Sequence, residues 1–288
     1  MFESLSRSWN FAMTSYRILG RHKRLVIFPL LATVAAALVL GSFVVPLWLT
    51  GLLNEWLDDA KGAEGLSRNV AMYVTLFLFY FCNYFVIVFF NSALIACTLQ
   101  VFRGEEPSLD YGLAMAGKRL PQILGWALVS AFVGVLLRAI ENTNKRAAEL
   151  IAGLLGTAWT AMTYFVVPVI VLDGVGPIEA VQRSLRTLKS TWGTALVGNF
   201  SLGLVGILIL LPVYLLGVGL IALSIMSGQP WALVPGIAVA LFLFVLASAV
   251  SSAAGTVFTA LLFSYATGQT LPADVDDALF AQAFMTKA

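Results

Sequence analysis

Trp231-Ala-Leu-Val-Pro-Gly-Ile-Ala-Val-Ala-Leu-Phe-Leu-Phe-Val-Leu-Ala-Ser-Ala-Val250 opens an apolar run that reaches Thr267 without one charged side chain. A helix needs about 20 such residues to cross the roughly 30 Å hydrocarbon core of a bilayer. Working outward, five more runs equally poor in charge reach or approach that length: Leu25–Thr50, Val70–Val101, Leu120–Leu137, Leu150–Leu172 and Thr194–Met226. The chain therefore reads as an all-α membrane protein with six transmembrane helices, a single polytopic membrane domain over residues 1–288.

Composition agrees. Hydrophobic residues make up 60% of the chain and charged residues 11%, against about 25% charged in an ordinary soluble domain. Mean hydropathy is +0.91. Net charge of +2 is ordinary for a membrane protein and gives no argument for nucleic acid. Cys82 and Cys97 lie on one span, too far apart to bond, and neither has a metal-ligand neighbour at useful spacing. The first run is too long for the apolar region of a signal peptide, so a retained first span is expected.

Orientation follows from Lys and Arg. With the N-terminus inside, 12 of the 17 basic residues fall on inside segments, among them Arg7, Arg17, Arg21, Lys23, Arg24, Lys118, Arg119, Arg183, Arg186 and Lys189. The expectation is that both termini lie inside.

A weak repeat lies on the inside. Amphipathic segments precede spans one, three and five, at residues 1–24, 104–119 and 176–192. The first places Leu5, Trp9, Ala12, Met13 and Tyr16 on one face and Arg7, Asn10, Thr14, Arg17 and Arg21 on the other. The third places Ile178, Val181, Leu185, Leu188 and Trp192 opposite Glu179, Gln182, Arg183, Arg186 and Lys189. Ser108 is positioned to cap the second, and Pro177 opens the third. Apolar faces with Trp and polar faces with Arg and Lys suit helices in the headgroup layer. The chain thus reads as three units, each an interfacial helix followed by a hairpin of spans. Arg17, Arg21, Lys23, Arg24, Arg183, Arg186 and Lys189 are the lipid-headgroup candidates; the plainer reading is that these helices only lap over the bundle.

The passage Pro168-Val-Ile-Val-Leu-Asp-Gly-Val-Gly-Pro-Ile-Glu-Ala-Val-Gln-Arg-Ser184, followed by Trp192-Gly193, resembles a segment of bacterial six-helix membrane families. Among them are domain of unknown function 6159 and the membrane domain attached to some glycerophosphodiester phosphodiesterases. The opening Ser8-Trp9-Asn10-Phe11 with its basic run fits as well. The phosphodiesterase catalytic domain has no counterpart in these residues, so the resemblance implies an inner-membrane protein without that hydrolase activity. Read physically, Pro168 frees a backbone carbonyl and predicts a kink near the inside end of span four. Asp173-Gly174 ends the span, with Asp173 within reach of Arg183 or Arg186.

Chemistry at depth is sparse. An ionisable side chain inside a bilayer marks function by default, and none sits mid-span. The buried polar candidates are Asn83, Asn91 and Asn199, read as interhelical glue or as a substrate site. The single histidine, His22, lies in Arg21-His22-Lys23-Arg24, where it reads as an interfacial cation. No zinc-protease, nucleophile-elbow or phosphate-loop signature occurs. On span six, Ser248, Ser252, Gly255, Thr256 and Thr259 share a small-residue face that invites close packing, within the chain or against a partner. Pro212, Gly217 and Gly219 are expected to kink and loosen span five. The expected function is a non-enzymatic module without cofactor that associates with membrane lipids or scaffolds other membrane proteins or a second copy of itself; the alternative is a small transporter or channel.

Overall fold

The computed structural model describes residues 13–52, 66–141, 146–226 and 230–272. Every regular element among them is helical. The order is α1 (13–21), a single 3-10 turn Lys23–Val26, α2 (Ile27–Leu49), α3 (Leu66–Phe102), α4 (Leu109–Lys118), α5 (Leu120–Glu141), α6 (Arg146–Met162), α7 (Val166–Asp173), α8 (Pro177–Met226) and α9 (Pro230–Ala266). Six stretches are long and apolar enough to cross a membrane: Lys23–Leu49, Val70–Phe102, Leu120–Ile140, Leu150–Asp173, Val205–Met226 and Leu233–Ala266. Each overlaps an expected run. Leu38, Leu208, Leu216, Phe242 and other large apolar side chains along them stand exposed, as lipid-facing residues do.

Two of the three amphipathic segments are separate helices. The chain leaves α1 at His22, whose φ of −117° and ψ of 65° lie outside the helical region. It breaks again at Arg119, two residues ahead of Pro121, which sits in the first turn of the next helix where its missing N–H leaves no bond unmade. The third segment departs from expectation. Pro177 opens it, but no proline follows until Pro212, and Gly193 alone does not interrupt the hydrogen-bond ladder. The segment and span five are therefore one helix of 50 residues, about 75 Å long. The apolar faces also shift. In α1 the buried residues are Ser15, Ile18 and Leu19, while Met13 is exposed; in the amphipathic first part of α8 they are Ala180, Ser184 and Leu188, while Ile178 is exposed. Leu5, Trp9 and the side chain of Trp192 lie outside the described residues.

The chain divides into two compact units. The first joins residues 1–30, 93–114 and 186–288. Here the end of α3 packs against α4 through Gly112. A Cβ on that glycine would lie 2.8 Å from the Ala93 carbonyl oxygen, 2.8 Å from the Phe28 ring and 2.6 Å from Cys97 Sγ. Spans five and six meet in the same way. A Cβ on Gly217 would approach Ala240 Cβ at 3.2 Å, and one on Gly236 would approach Ser224 Oγ at 2.6 Å. Gly217 is thus a packing residue, not the loosening one expected.

The second unit joins residues 31–92 and 115–185. Trp126 of α5 stacks on Trp159 of α6, with centroids 5.6 Å apart and planes at 13°. Gly134 faces Tyr80 and Tyr84, and Gly156 faces Leu137. Small residues bring the helices together, and aromatic rings fill the space beside them.

Candidate functional site

Two polar constellations stand out, one in each unit. The first to be built is the passage from Pro168 to Ser184. Span four is broken: α6 ends at Met162 and α7 starts at Val166. Pro168 falls in the first turn of α7, where its missing N–H leaves no bond unmade. The expected kink is therefore a break placed just ahead of the proline. Ser184, fully buried on α8, fills it. Its Oγ accepts the Phe165 N–H at 2.9 Å and donates to the Met162 carbonyl at 2.7 Å.

The other end of α7 is closed by side chains as well. Gly174 takes the left-handed conformation, φ 66°. Arg119 donates from Nε to the Val171 carbonyl at 3.2 Å and from Nη2 to the Leu172 carbonyl at 3.3 Å. Gln122 donates to the Gly174 carbonyl at 3.1 Å. A cation on the last carbonyls of a helix also complements its dipole. A Cβ at Gly174 would collide with the Arg119 guanidinium, so glycine is required both for its φ and for space. Arg183 then bridges Asp173 at 2.6 Å and Glu179 at 2.6 Å. Those two carboxylates, Asp173 foremost, push the Arg183 pKa above its usual value. Asp173 thus finds the partner expected of it, and every member of this cluster has a structural role.

The second constellation lies where α1, the end of α3 and the segment after α9 meet. Gly104, φ 79°, ends α3, and the chain turns back so that the Glu105 N–H bonds the Gln100 carbonyl at 3.0 Å. Gln100 Oε1 accepts the Ser108 N–H at 3.3 Å. Ser108 holds the position before α4, its carbonyl accepting from Gly112 N–H at 3.1 Å and from Cys97 Sγ at 3.0 Å. Arg103 donates from Nε to Glu105 at 2.8 Å. That bond holds the Glu105 carboxyl below the usual glutamate range and raises the arginine. His22 Nδ1 lies 4.0 Å from Glu106. Tyr16 of α1 faces Ser251 of span six, and burial pushes its phenol up. Behind the turn is a cavity of about 390 Å³ lined by Ile18, Arg21, His22, Val101, Phe102, Arg103, Gly104, Thr270, Leu271 and Pro272.

The sequence candidates are scattered among these features. Arg17, Arg21, Lys23 and Arg24 are exposed in and after α1, and Arg186 and Lys189 are exposed on α8. Asn83 donates to the Phe79 carbonyl of its own helix at 2.9 Å; the side chain of Asn199 lies outside the described residues. Asn91 is half-buried. On span six the fully buried small residues are Ala249, Ala253, Ala254, Ala260 and Ser264. Ser248, Thr256 and Thr259 are half-buried, Ser252 is exposed, and nothing lies within 4 Å of a Cβ placed on Gly255. Thr256 and Thr259 return hydrogen bonds to Ser252 and Gly255 of their own helix. Among the described residues no group of three His, Cys, Asp or Glu is arranged to hold a metal. The Arg119 bonds and the Gly217–Ala240 and Gly236–Ser224 approaches were not singled out by sequence; the Lys118-Arg119 pair at a proline-marked break was the available signal for the first.

Six membrane-crossing helices without an accompanying strand among the described residues define a multi-pass α-helical membrane protein. The chain belongs to a family of unknown function, DUF6159, which it matches over residues 70–271. No curated protein and no solved structure matches it.

Proposed function

We propose that the chain is a non-enzymatic module of the bacterial inner membrane, inserted with both termini cytoplasmic, that gathers anionic lipid at its cytoplasmic face and there organises neighbouring membrane proteins. The observation that carries this reading is the exposure of Arg17, Arg21, Lys23 and Arg24 together at the head of span one. Each cation near an anionic surface contributes about 1 kcal/mol, and a short helix capped by such a cluster suits the headgroup layer. The polar groups around Ser184 and Arg183 are engaged in holding helices, which leaves them poorly suited to catalysis. The transporter reading loses support at Asn83, whose amide is bonded within its own helix.

Two measurements test the proposal. Fusion reporters after Ala288 and within Gly104–Gly117 are expected to report the cytoplasm, and one within Leu57–Arg68 the opposite side. Replacement of Arg17, Lys23 and Arg24 by glutamine is expected to reduce the number of anionic lipids retained in native mass spectrometry. An outside C-terminus refutes the orientation, and undiminished retention refutes the lipid role.

A further inference from the structure

We infer that the cavity bounded by Ile18, Arg21, Phe102, Arg103 and Thr270 is a specific site for the phosphate headgroup of one anionic phospholipid. The inference rests on the lipid-associating reading above and assigns it a place. Three sequence-distant segments converge there: the end of α1, the end of α3 with its turn, and residues 270–272 after α9. These are the ends of spans one, two and six, so the cavity sits at the depth where a membrane carries its headgroups. At about 390 Å³ it falls in the lower part of the roughly 300–1,000 Å³ range of small-molecule sites. That is room for a headgroup, with the acyl chains left outside along the spans.

The lining is amphiphilic and of one sign. Ile18 and Phe102 are buried, and with Val101, Leu271 and Pro272 they form an apolar wall. Arg21, His22 and Arg103 supply the polar part, and no lining residue is acidic. Glu105 and Glu106 do not line the cavity. Glu105 instead holds Arg103 through its Nε at 2.8 Å and Nη2 at 3.5 Å. Tyr111 bonds the same guanidinium. A guanidinium carries five N–H donors, so an arginine fixed in this way still keeps donors for a second anion and loses little freedom on binding it. Arginine is suited to phosphate because its planar fork bonds two oxygens at once. A neutral ligand gains less from these arginines than an anionic one, because charge-assisted bonds are the stronger ones, and a fully apolar ligand leaves them facing it.

The test is native mass spectrometry of the full chain with phosphatidylglycerol or phosphatidylcholine, in wild type and in Thr270→Trp. Thr270 lines the cavity and is itself exposed, so an indole there is expected to obstruct the cavity without altering charge. Wild type is expected to keep one phosphatidylglycerol under detergent conditions that strip phosphatidylcholine, and T270W to lose it. A second variant, Arg103→Gln with Glu105→Gln, conserves net charge and sits on an exposed turn; it is expected to weaken retention about fivefold, the worth of one cation at the surface. Retention unchanged in both variants overturns the site, while the Arg17, Lys23 and Arg24 measurement still stands or falls separately. Glycerol 3-phosphate supplies the remaining arm. If, added alone, it raises the melting temperature of the delipidated wild type but not of T270W, the site serves a soluble phosphate ester and the lipid assignment is wrong.

Discussion

Replacing Ser184 by alanine should loosen span four. In the folded chain this hydroxyl is the side-chain partner of both the Phe165 N–H, at 2.9 Å, and the Met162 carbonyl, at 2.7 Å. Ser184 and Phe165 are both fully buried. Without the hydroxyl the Phe165 N–H loses this acceptor, and a buried donor left unsatisfied costs about 1–3 kcal/mol. The carbonyl adds less, because a carbonyl keeps a second lone pair and tolerates under-satisfaction better. A total of about 2–4 kcal/mol is expected, which by the usual scaling for chains near this size lowers the melting temperature by about 5–10 °C. The assay is thermal unfolding of the detergent-purified protein. Ser42→Ala is the comparison: that hydroxyl is exposed and only returns a bond to the Val39 carbonyl of its own helix, so the change should stay within about 0.5 kcal/mol. Ser184→Cys, which keeps a weak donor and acceptor, should fall between the two. A Ser184→Ala protein as stable as Ser42→Ala would show that the break in span four closes without the hydroxyl, and the account of the Pro168–Ser184 passage would fail.

Gly112→Ala should destabilise by about 1–3 kcal/mol, the usual cost of overpacking, because the added methyl meets the Ala93 backbone at 2.8 Å; Gly117→Ala, with open space around it, should not, and equal melting temperatures would refute the contact. Cysteines at positions 217 and 240 should form a disulfide, since their Cβ atoms would lie 3.2 Å apart, close to the usual 3.5–4.5 Å. Adding Gly236→Leu should abolish that bond by forcing the hairpin open, and an undiminished yield would contradict the packing. Ser252→Leu with Gly255→Leu should leave monomer stability unchanged, because among the described residues nothing lies within 4 Å of a Cβ placed on Gly255; a lower melting temperature would place a helix there, and a changed size on chromatography would place a partner. Glu105 is held below the usual glutamate range by Arg103, so the order this pair gives the turn is present above that range and lost only as pH falls through the lowered value. Proteolysis at 103–108 should therefore stay slow at pH 5 and quicken in stronger acid, and acceleration already at pH 5 would refute the pairing.

Six spans were legible because hydrophobic length is a local property: a charge-free run such as Trp231–Thr267 has few alternatives to a membrane helix. Proline marked two of the boundaries for the same reason, at Pro121 and Pro177. What stayed hidden depends on partners distant in sequence. Gly217 looks like a weak point until Ala240 is placed against it, and Gly255 looks like a contact although no described residue comes within 4 Å of a Cβ placed there. A small residue permits close approach, but only the opposing helix decides whether the approach occurs. The join between the third amphipathic segment and span five was hidden by the opposite fault, since Gly193 lowers helix propensity without forbidding a helix.

The two polar constellations differ in a way that bears on function. Around Ser184 the polar groups answer one another: the hydroxyl bridges a helix break, Arg119 and Gln122 close a helix end 52 residues away in the chain, and Arg183 takes both neighbouring carboxylates. A ligand would have to displace those bonds to enter. Around Arg103 the carboxylates lie outside the cavity wall and steady the arginine from behind. The same residue chemistry is thus closed in one unit and open in the other. A cation held in place beside unfilled space, next to an apolar wall at the ends of the spans, is what an anionic amphiphile can use without first breaking the fold. Of the two clusters it is therefore the Arg103 turn, and not the passage that carries the sequence resemblance, where a change of side chain should alter binding while leaving the helices in place.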